Sequence, residues 1–296
     1  MTGTRTTPTP AQWVLGARPR TLPAAVSPVA AGTGAAYAME GGSWARALLA
    51  LMVALALQIG VNYANDYSDG IRGTDSQRVG PLRLVGSGLA TPRAVRLAAV
   101  LSFAVAAVVG LVLVALSGTW WLLAVGVAAI GAAWYYTGGS KPYGYSGFGE
   151  VFVFVFFGLV AVLGTTYTQA GRVSTSAVLC AVAVGFLACA ILVANNLRDV
   201  RSDGPAGKHT LAVRLGGRRT RLMYAGLVIG SILVVLPVYL AHPAAALSLL
   251  AVPLAVPPLR AVVTGAAGPE LIPVLGATGR LQLIFSVLLG LGLALS

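Results

Sequence analysis

Nine stretches of this chain are predominantly apolar over eighteen residues or more: 22–39, 45–65, 94–116, 119–136, 149–169, 174–196, 221–240, 244–263 and 279–296. A run of that length spans a bilayer as a helix, because a helix satisfies its own backbone hydrogen bonds and lipid offers none. The runs are continuous rather than alternating, which excludes a transmembrane β-barrel. Charged residues make up only 9% of the chain, whereas a soluble domain carries about a quarter. The expected fold class is an all-α polytopic membrane protein with nine transmembrane helices. Residues 1–21 read as a cytoplasmic N-terminal tail and 22–296 as one transmembrane domain. The polar first twenty residues lack the short apolar core of a cleavable signal peptide. Two spans are the least regular: 22–39, with Pro23 and Pro28, and 244–263, with Pro253, Pro257 and Pro258.

Charge sets the orientation. With the N-terminus in the cytoplasm, 18 of the 20 basic residues fall on cytoplasmic segments, and only Arg46 and Arg172 lie outside. Such asymmetry is what membrane topology selects, and a miscounted helix would scramble it. The net charge of +12 therefore reads as positive loops held against anionic lipid rather than as a nucleic-acid surface. Cys180 and Cys189 sit nine residues apart in one apolar run, too far along a helix for a disulfide, and read as small packing residues.

Two connections are long, about 66–93 and about 197–220, and all five aspartates of the eight acidic residues lie in them. The first reads NYANDYSDGIRGTD and the second NNLRDVRSD. On a helix, residues three and four apart share a face, so Asn62, Asp66 and Asp69 point one way, as do Asn195, Asp199 and Asp203. Four spans separate the clusters, so both emerge on the same side of the membrane. Stacked carboxylates repel one another and need a cation. Mg²⁺ takes oxygen ligands and commonly bridges one or two carboxylates to substrate phosphates. Arg72, Arg78, Arg83, Lys141, Arg198, Arg201 and Lys208 are candidates to pair with phosphate oxygens. The bland alternative is solvated loop aspartates paired with neighbouring arginines. Two matched clusters at helix ends in an acid-poor chain argue against it. Asp75 lies further out in a polar loop.

These motifs, with RVGPLRLVGSGLATP and GPAGKHTLAVRLG after them, resemble the signature loops of the UbiA superfamily of intramembrane prenyltransferases. The wording of the loops is similar to its menaquinone branch, and the resemblance runs from Trp13 to the last helix. It implies nine helices around a central cavity, with a lateral opening for an isoprenoid tail. It also implies a Mg²⁺ and diphosphate site at Asn62, Asp66, Asp69, Asn195, Asp199 and Asp203, in the cell membrane at its cytoplasmic face. The implied reaction transfers a polyprenyl chain from polyprenyl diphosphate to 1,4-dihydroxy-2-naphthoate, with loss of the ring carboxylate, to give a demethylmenaquinone. The family's first motif usually spaces its acids four apart. Here the second acid is Asp69, three away, and either Asp69 or Asp75 completes the site.

The chemistry needs stabilisation of a leaving diphosphate, from Mg²⁺ as a Lewis acid and from fixed cations. Lys141 and Arg198 are the expected direct contacts, and Asp66, Asp199 and Lys141 the expected catalytic residues. Arg72 and Tyr136 are expected substrate neighbours. Tyr135, Tyr136, Tyr143 and Tyr145 bracket Lys141 and offer ring faces to an allylic cation, although interfacial tyrosines also serve as anchors. Arg18 or Arg20 is placed to meet an acceptor carboxylate, with topogenic charge as the plain alternative. The two glycine-containing loops are candidate lids. Glu150 suits a helix N-terminus, Glu270 a solvated loop, and His209 and His242 lie on opposite faces. Rival readings are another aromatic acceptor (4-hydroxybenzoate, homogentisate or haem) and a cation-coupled transporter, whose sites lie nearer the midplane.

Overall fold

A computed structural model describes residues 8–73 and 82–296. Arg5, Asp75, Arg78 and Gly80 lie outside the described residues. Every regular element among the described residues is helical. A short α1 (Pro10–Gly16), closed by a Thr9–Gln12 capping box, leads into α2 (Pro23–Tyr37). Then follow α3 (Trp44–Arg72), α4 (Pro92–Ser117) and α5 (Leu122–Tyr135). A continuous rod, Gly149–Ala170, comprises α6 (Gly149–Val153), a π-helical stretch Phe154–Val160 and α7 (Ala161–Ala170). Next come α8 (Thr175–Asp203), α9 (Leu211–Leu233) and α10 (Leu236–Ala241). A 3₁₀ stretch, Pro243–Ala255, runs into α11 (Val256–Val263), and α12 (Leu271–Ala294) completes the chain.

All nine apolar stretches are largely helical, but among the described residues seven helices are long and apolar enough to cross a membrane. α2 and α5 have 15 and 14 residues, about 22 Å and 21 Å at helical rise, short of a hydrocarbon core of about 30 Å. α2 is nonetheless a core element, with ten of its fifteen residues buried between its neighbours. It packs on α12 so closely that a Cβ on Gly34 would overlap the Gly290 backbone, the small-residue contact that helices in lipid favour. α8 is the most deeply buried of the long helices. Large apolar side chains such as Val108, Leu240 and Leu250 are exposed on the outer surface, as a lipid-facing wall requires.

The helix ends differ from the apolar runs, and the difference matters for the site. α3 continues to Arg72 and stops at Gly73, whose φ of 71° suits a left-handed cap. α8 continues to Asp203. The aspartate motifs are therefore the last turns of two long helices rather than loops. The second connection shrinks to residues 204–210, because α9 begins at Leu211 and breaks at Gly216 (φ 74°, ψ 165°) before its main run. α12 begins eight residues before the expected span, so Arg280 lies within the helix.

Candidate active site

A cavity of about 570 Å³ is lined by α2, α3, α4, α5 and the α6–α7 rod. Its walls are mostly apolar, with Gln58, Asn62, Asn65, Tyr136 and Tyr143 toward one end. At the other end it reaches Ala50, Leu122 and Thr168. Ala50 to Asn65 is fifteen residues of one helix, about 22 Å. The shape is a slot for a long apolar chain with a polar head.

Asp66 is 1% exposed. Its carboxylate accepts backbone N–H bonds from Leu84 at 2.7 Å and Val85 at 3.0 Å, where the chain folds back before α4. Asp69, one turn on, accepts from the Tyr145 hydroxyl and is bridged by Arg83 at 3.3 Å and Lys208 at 3.4 Å. Lys208 comes from the connection after α8, so the second motif's loop reaches the first motif's acid. Lys208 also lies over the Tyr145 ring at 4.7 Å, and Arg72 lies over it at 5.6 Å. Arg72 donates to the Thr137 and Gly139 carbonyls and so ties the α5–α6 loop to the end of α3. On α8, Arg198 grips Asp199 through Nε at 2.7 Å and Nη2 at 2.6 Å, both residues buried.

The other expected site residues divide. Asn62 lines the cavity and donates to the Ala17 carbonyl and the Thr21 hydroxyl, both at 2.9 Å. Tyr136 and Tyr143 line the cavity, and their rings meet edge to face at 5.5 Å. Tyr143 donates to the Ala132 carbonyl, and burial pushes its phenol upward, so it stays a neutral donor. Asn195 and Asp203 are half-buried near the end of α8. Lys141, Tyr135, Arg20, Arg201 and His209 are exposed and stand outside the buried cluster. Glu150 opens α6 as expected, but it is also buried and accepts from Asn196 of α8 at 2.9 Å.

Asn65 was not singled out from the sequence. It lines the cavity and accepts from the Thr137 hydroxyl at 2.7 Å. The same spacing argument reaches it, since it lies three residues after Asn62 and directly before Asp66. The Leu84 and Val85 amides left no comparable signal.

Among the described residues no three acid, histidine or cysteine side chains converge as a metal cage. The donor set nevertheless fits Mg²⁺, because the buried carboxylates of Asp66, Asp69 and Asp199 are hard oxygen donors and Mg²⁺ needs only one or two carboxylates beside phosphate.

A model of the UbiA prenyltransferase family matches residues 25–270. The chain belongs to this family. Among curated UbiA-type relatives, the 1,4-dihydroxy-2-naphthoate octaprenyltransferase of Mycobacterium tuberculosis is 59% identical over 94% of each chain. The enzyme of the same name from Escherichia coli is 39% identical, covering 96% of this chain and 95% of its own. The solved structure of a UbiA homologue from Archaeoglobus fulgidus bound to GPP and Mg²⁺ superposes with a TM-score of 0.68. It covers 96% of this chain and all of its own at 16% identity, and so shows the shared fold.

Proposed function

We propose that this protein transfers a polyprenyl chain from polyprenyl diphosphate to 1,4-dihydroxy-2-naphthoate with decarboxylation, a step of menaquinone biosynthesis. Its relatives' names point to the acceptor. The observation that carries the chemistry is the set of buried charged residues at the ends of α3 and α8 and in the connections after them, Asp66, Asp69, Asp199, Arg83, Arg198 and Lys208, together with a long apolar slot beside α3. It acts at the cytoplasmic face of the plasma membrane, with the N-terminus inside and α2 and α5 completing nine crossings. The distribution of basic residues supports that orientation.

The diphosphate head lies at the cavity mouth and the tail runs between α3 and the α6–α7 rod. Asp66, Asp69, Asp199 and Asp203 would hold Mg²⁺, which would supply Lewis-acid stabilisation of the leaving group. Arg83, Arg198 and Lys208 turn from carboxylate to phosphate oxygens as the allylic C–O bond breaks and its electron pair leaves on diphosphate. Lys141 and Arg72, at the rim, extend the same positive field. Tyr136 and Tyr143 face the allylic carbon. The acceptor ring forms the new C–C bond, and the carboxylate departs as CO₂, leaving its electron pair in the ring. The product is the demethylmenaquinone skeleton in its hydroquinone form, so no oxidant is needed. Apolar walls keep out water, which would trap the cation as a prenyl alcohol.

The test is turnover by purified protein in detergent with both substrates, in Mg²⁺ and then in EDTA, with products identified by mass. The expected product is a Mg²⁺-dependent prenylated naphthohydroquinone lacking the carboxyl mass. Mg²⁺-dependent release of diphosphate without it would transfer the reading to another aromatic acceptor. No consumption of polyprenyl diphosphate with any acceptor would overturn the enzyme and revive cation-coupled transport.

A further inference from the structure

We infer that Arg18 is the residue that reads the carboxylate of the aromatic acceptor, an inference that rests on the function proposed above. Arg18 sits between α1 and a 3₁₀ turn, Pro19–Thr21, with φ 55° and ψ 70°. A side-chain-bearing residue rarely adopts that left-handed conformation, and such strain persists only where surrounding contacts fix it. The contacts here are specific. Gly16 lies so close to Leu84 and Tyr63 that no Cβ fits without displacing them. Asn62 holds the Ala17 carbonyl and the Thr21 hydroxyl, and Gln58 donates to the same hydroxyl at 3.0 Å. Trp13 packs edge-on against Tyr63 with ring centroids 5.8 Å apart, and the Tyr63 hydroxyl donates to the Trp13 carbonyl at 2.8 Å. Residues on both sides of Arg18 are thus fastened to the polar face of α3, and Gln58 and Asn62 of that face line the cavity.

The side chain follows. The guanidinium nitrogens Nε and Nη2 are shielded from solvent, and the group lies within electrostatic reach of the Asp66 carboxylate. The neighbouring Arg20, two residues on, is exposed. Topogenic charge requires no buried guanidinium and no strained backbone. Arg18 belongs to the amino-terminal segment, between α1 and the Pro19–Thr21 turn. A planar guanidinium there suits a planar aromatic carboxylate, which it can bind through two parallel N–H···O bonds. It would hold the acid close to the allylic carbon and distinguish it from a neutral ring.

The experiment compares wild type with R18Q and R18K. Binding of 1,4-dihydroxy-2-naphthoate, 4-hydroxybenzoate and the carboxylate-free 1,4-dihydroxynaphthalene is read by tryptophan fluorescence, and KM is measured for each substrate. The inference expects R18Q to weaken binding of the carboxylate ligand preferred by wild type by about ten- to a hundredfold, the scale of a charged hydrogen bond. Binding of the neutral ring, KM for polyprenyl diphosphate and the melting temperature should stay at wild-type values, and R18K should recover part of the loss. Equal weakening of acid and neutral ring, or a raised KM for the diphosphate, would overturn it. So would unchanged acid binding. A wild type that prefers 4-hydroxybenzoate would count against the proposed acceptor alone, because the charge-selective effect of R18Q is scored on whichever acid binds.

Discussion

Asp66 and Asp199, both buried, find their partners in different ways. Asp66 uses two peptide N–H groups and Asp199 a two-pronged arginine beside it in the chain. Removing either acid strands its partners. Asp66→Ala leaves two amides without their acceptor, at a cost of about 1–3 kcal/mol each if they stay dry. Asp199→Ala leaves Arg198, 6% exposed, as an uncompensated cation, at a cost of roughly 3–5 kcal/mol. Turnover should fall on the order of a hundredfold or more in both variants, since charge stabilisation of the leaving group goes with the acid. Membrane insertion should persist, because a polar group has been removed from a helix. Turnover and melting temperature measured together check this, and full activity in both variants would sink the assignment. The shared face of Asn62, Asp66 and Asp69 was legible because helical spacing is local. Their partners were not: Leu84 and Val85 meet Asp66 across eighteen and nineteen residues, and Tyr145 meets Asp69 across seventy-six. Nor does spacing rank Lys141 against Lys208, since both follow glycine-containing loops and only packing buries the second.

The elements repeat this division. Long apolar runs announced the helices, but hydropathy stops where a helix leaves lipid, and α8 carries its last seven residues beyond the expected span, to Asp203. The same blindness hid the π-helical stretch Phe154–Val160. It packs where Gly158 meets Gly185, so close that a Cβ on Gly158 would lie 2.7 Å from the Gly185 Cα and 2.8 Å from the Ala181 carbonyl. The opposite side of the rod presents Phe152 and Phe156 to the cavity, stacked in series with Tyr143. Gly158→Val should therefore push the rod off α8 rather than merely fill a gap. Overpacking of this kind costs about 1–3 kcal/mol, and the shifted aromatic wall should raise KM for polyprenyl diphosphate. Thermal melts in detergent and initial rates check both. An unchanged melt would show that the helices separate freely at this crossing.

At the scale of the molecule, charge is sorted by membrane face, and the exceptions show how. Arg46 and Arg172 are the two basic residues on the side opposite the site. Arg46 donates to the carbonyls of Thr168, Gln169 and Leu116, at the ends of α7 and α4, and Arg172 to that of Met39. Each cation thus meets carbonyls at helix C-termini, where the macrodipole favours it, and does not serve as a topogenic loop charge. The other basic residues fall, by sequence position, on the segments assigned to the face where α3 and α8 carry their aspartates. In the proposed topology, with the N-terminus inside and both short helices, α2 and α5, crossing, that face lies in the cytoplasm and Trp120 outside. The native cysteines are buried, Cys180 at 0% and Cys189 at 3% exposure, so they leave a quiet background for labelling. A membrane-impermeant maleimide should label Trp120→Cys in intact right-side-out cells and Ala206→Cys only after permeabilisation, since both positions are exposed. The reverse pattern would invert the protein and put its diphosphate site outside the cell. Labelling of both positions from one side would remove a crossing between them, and with it the count of nine.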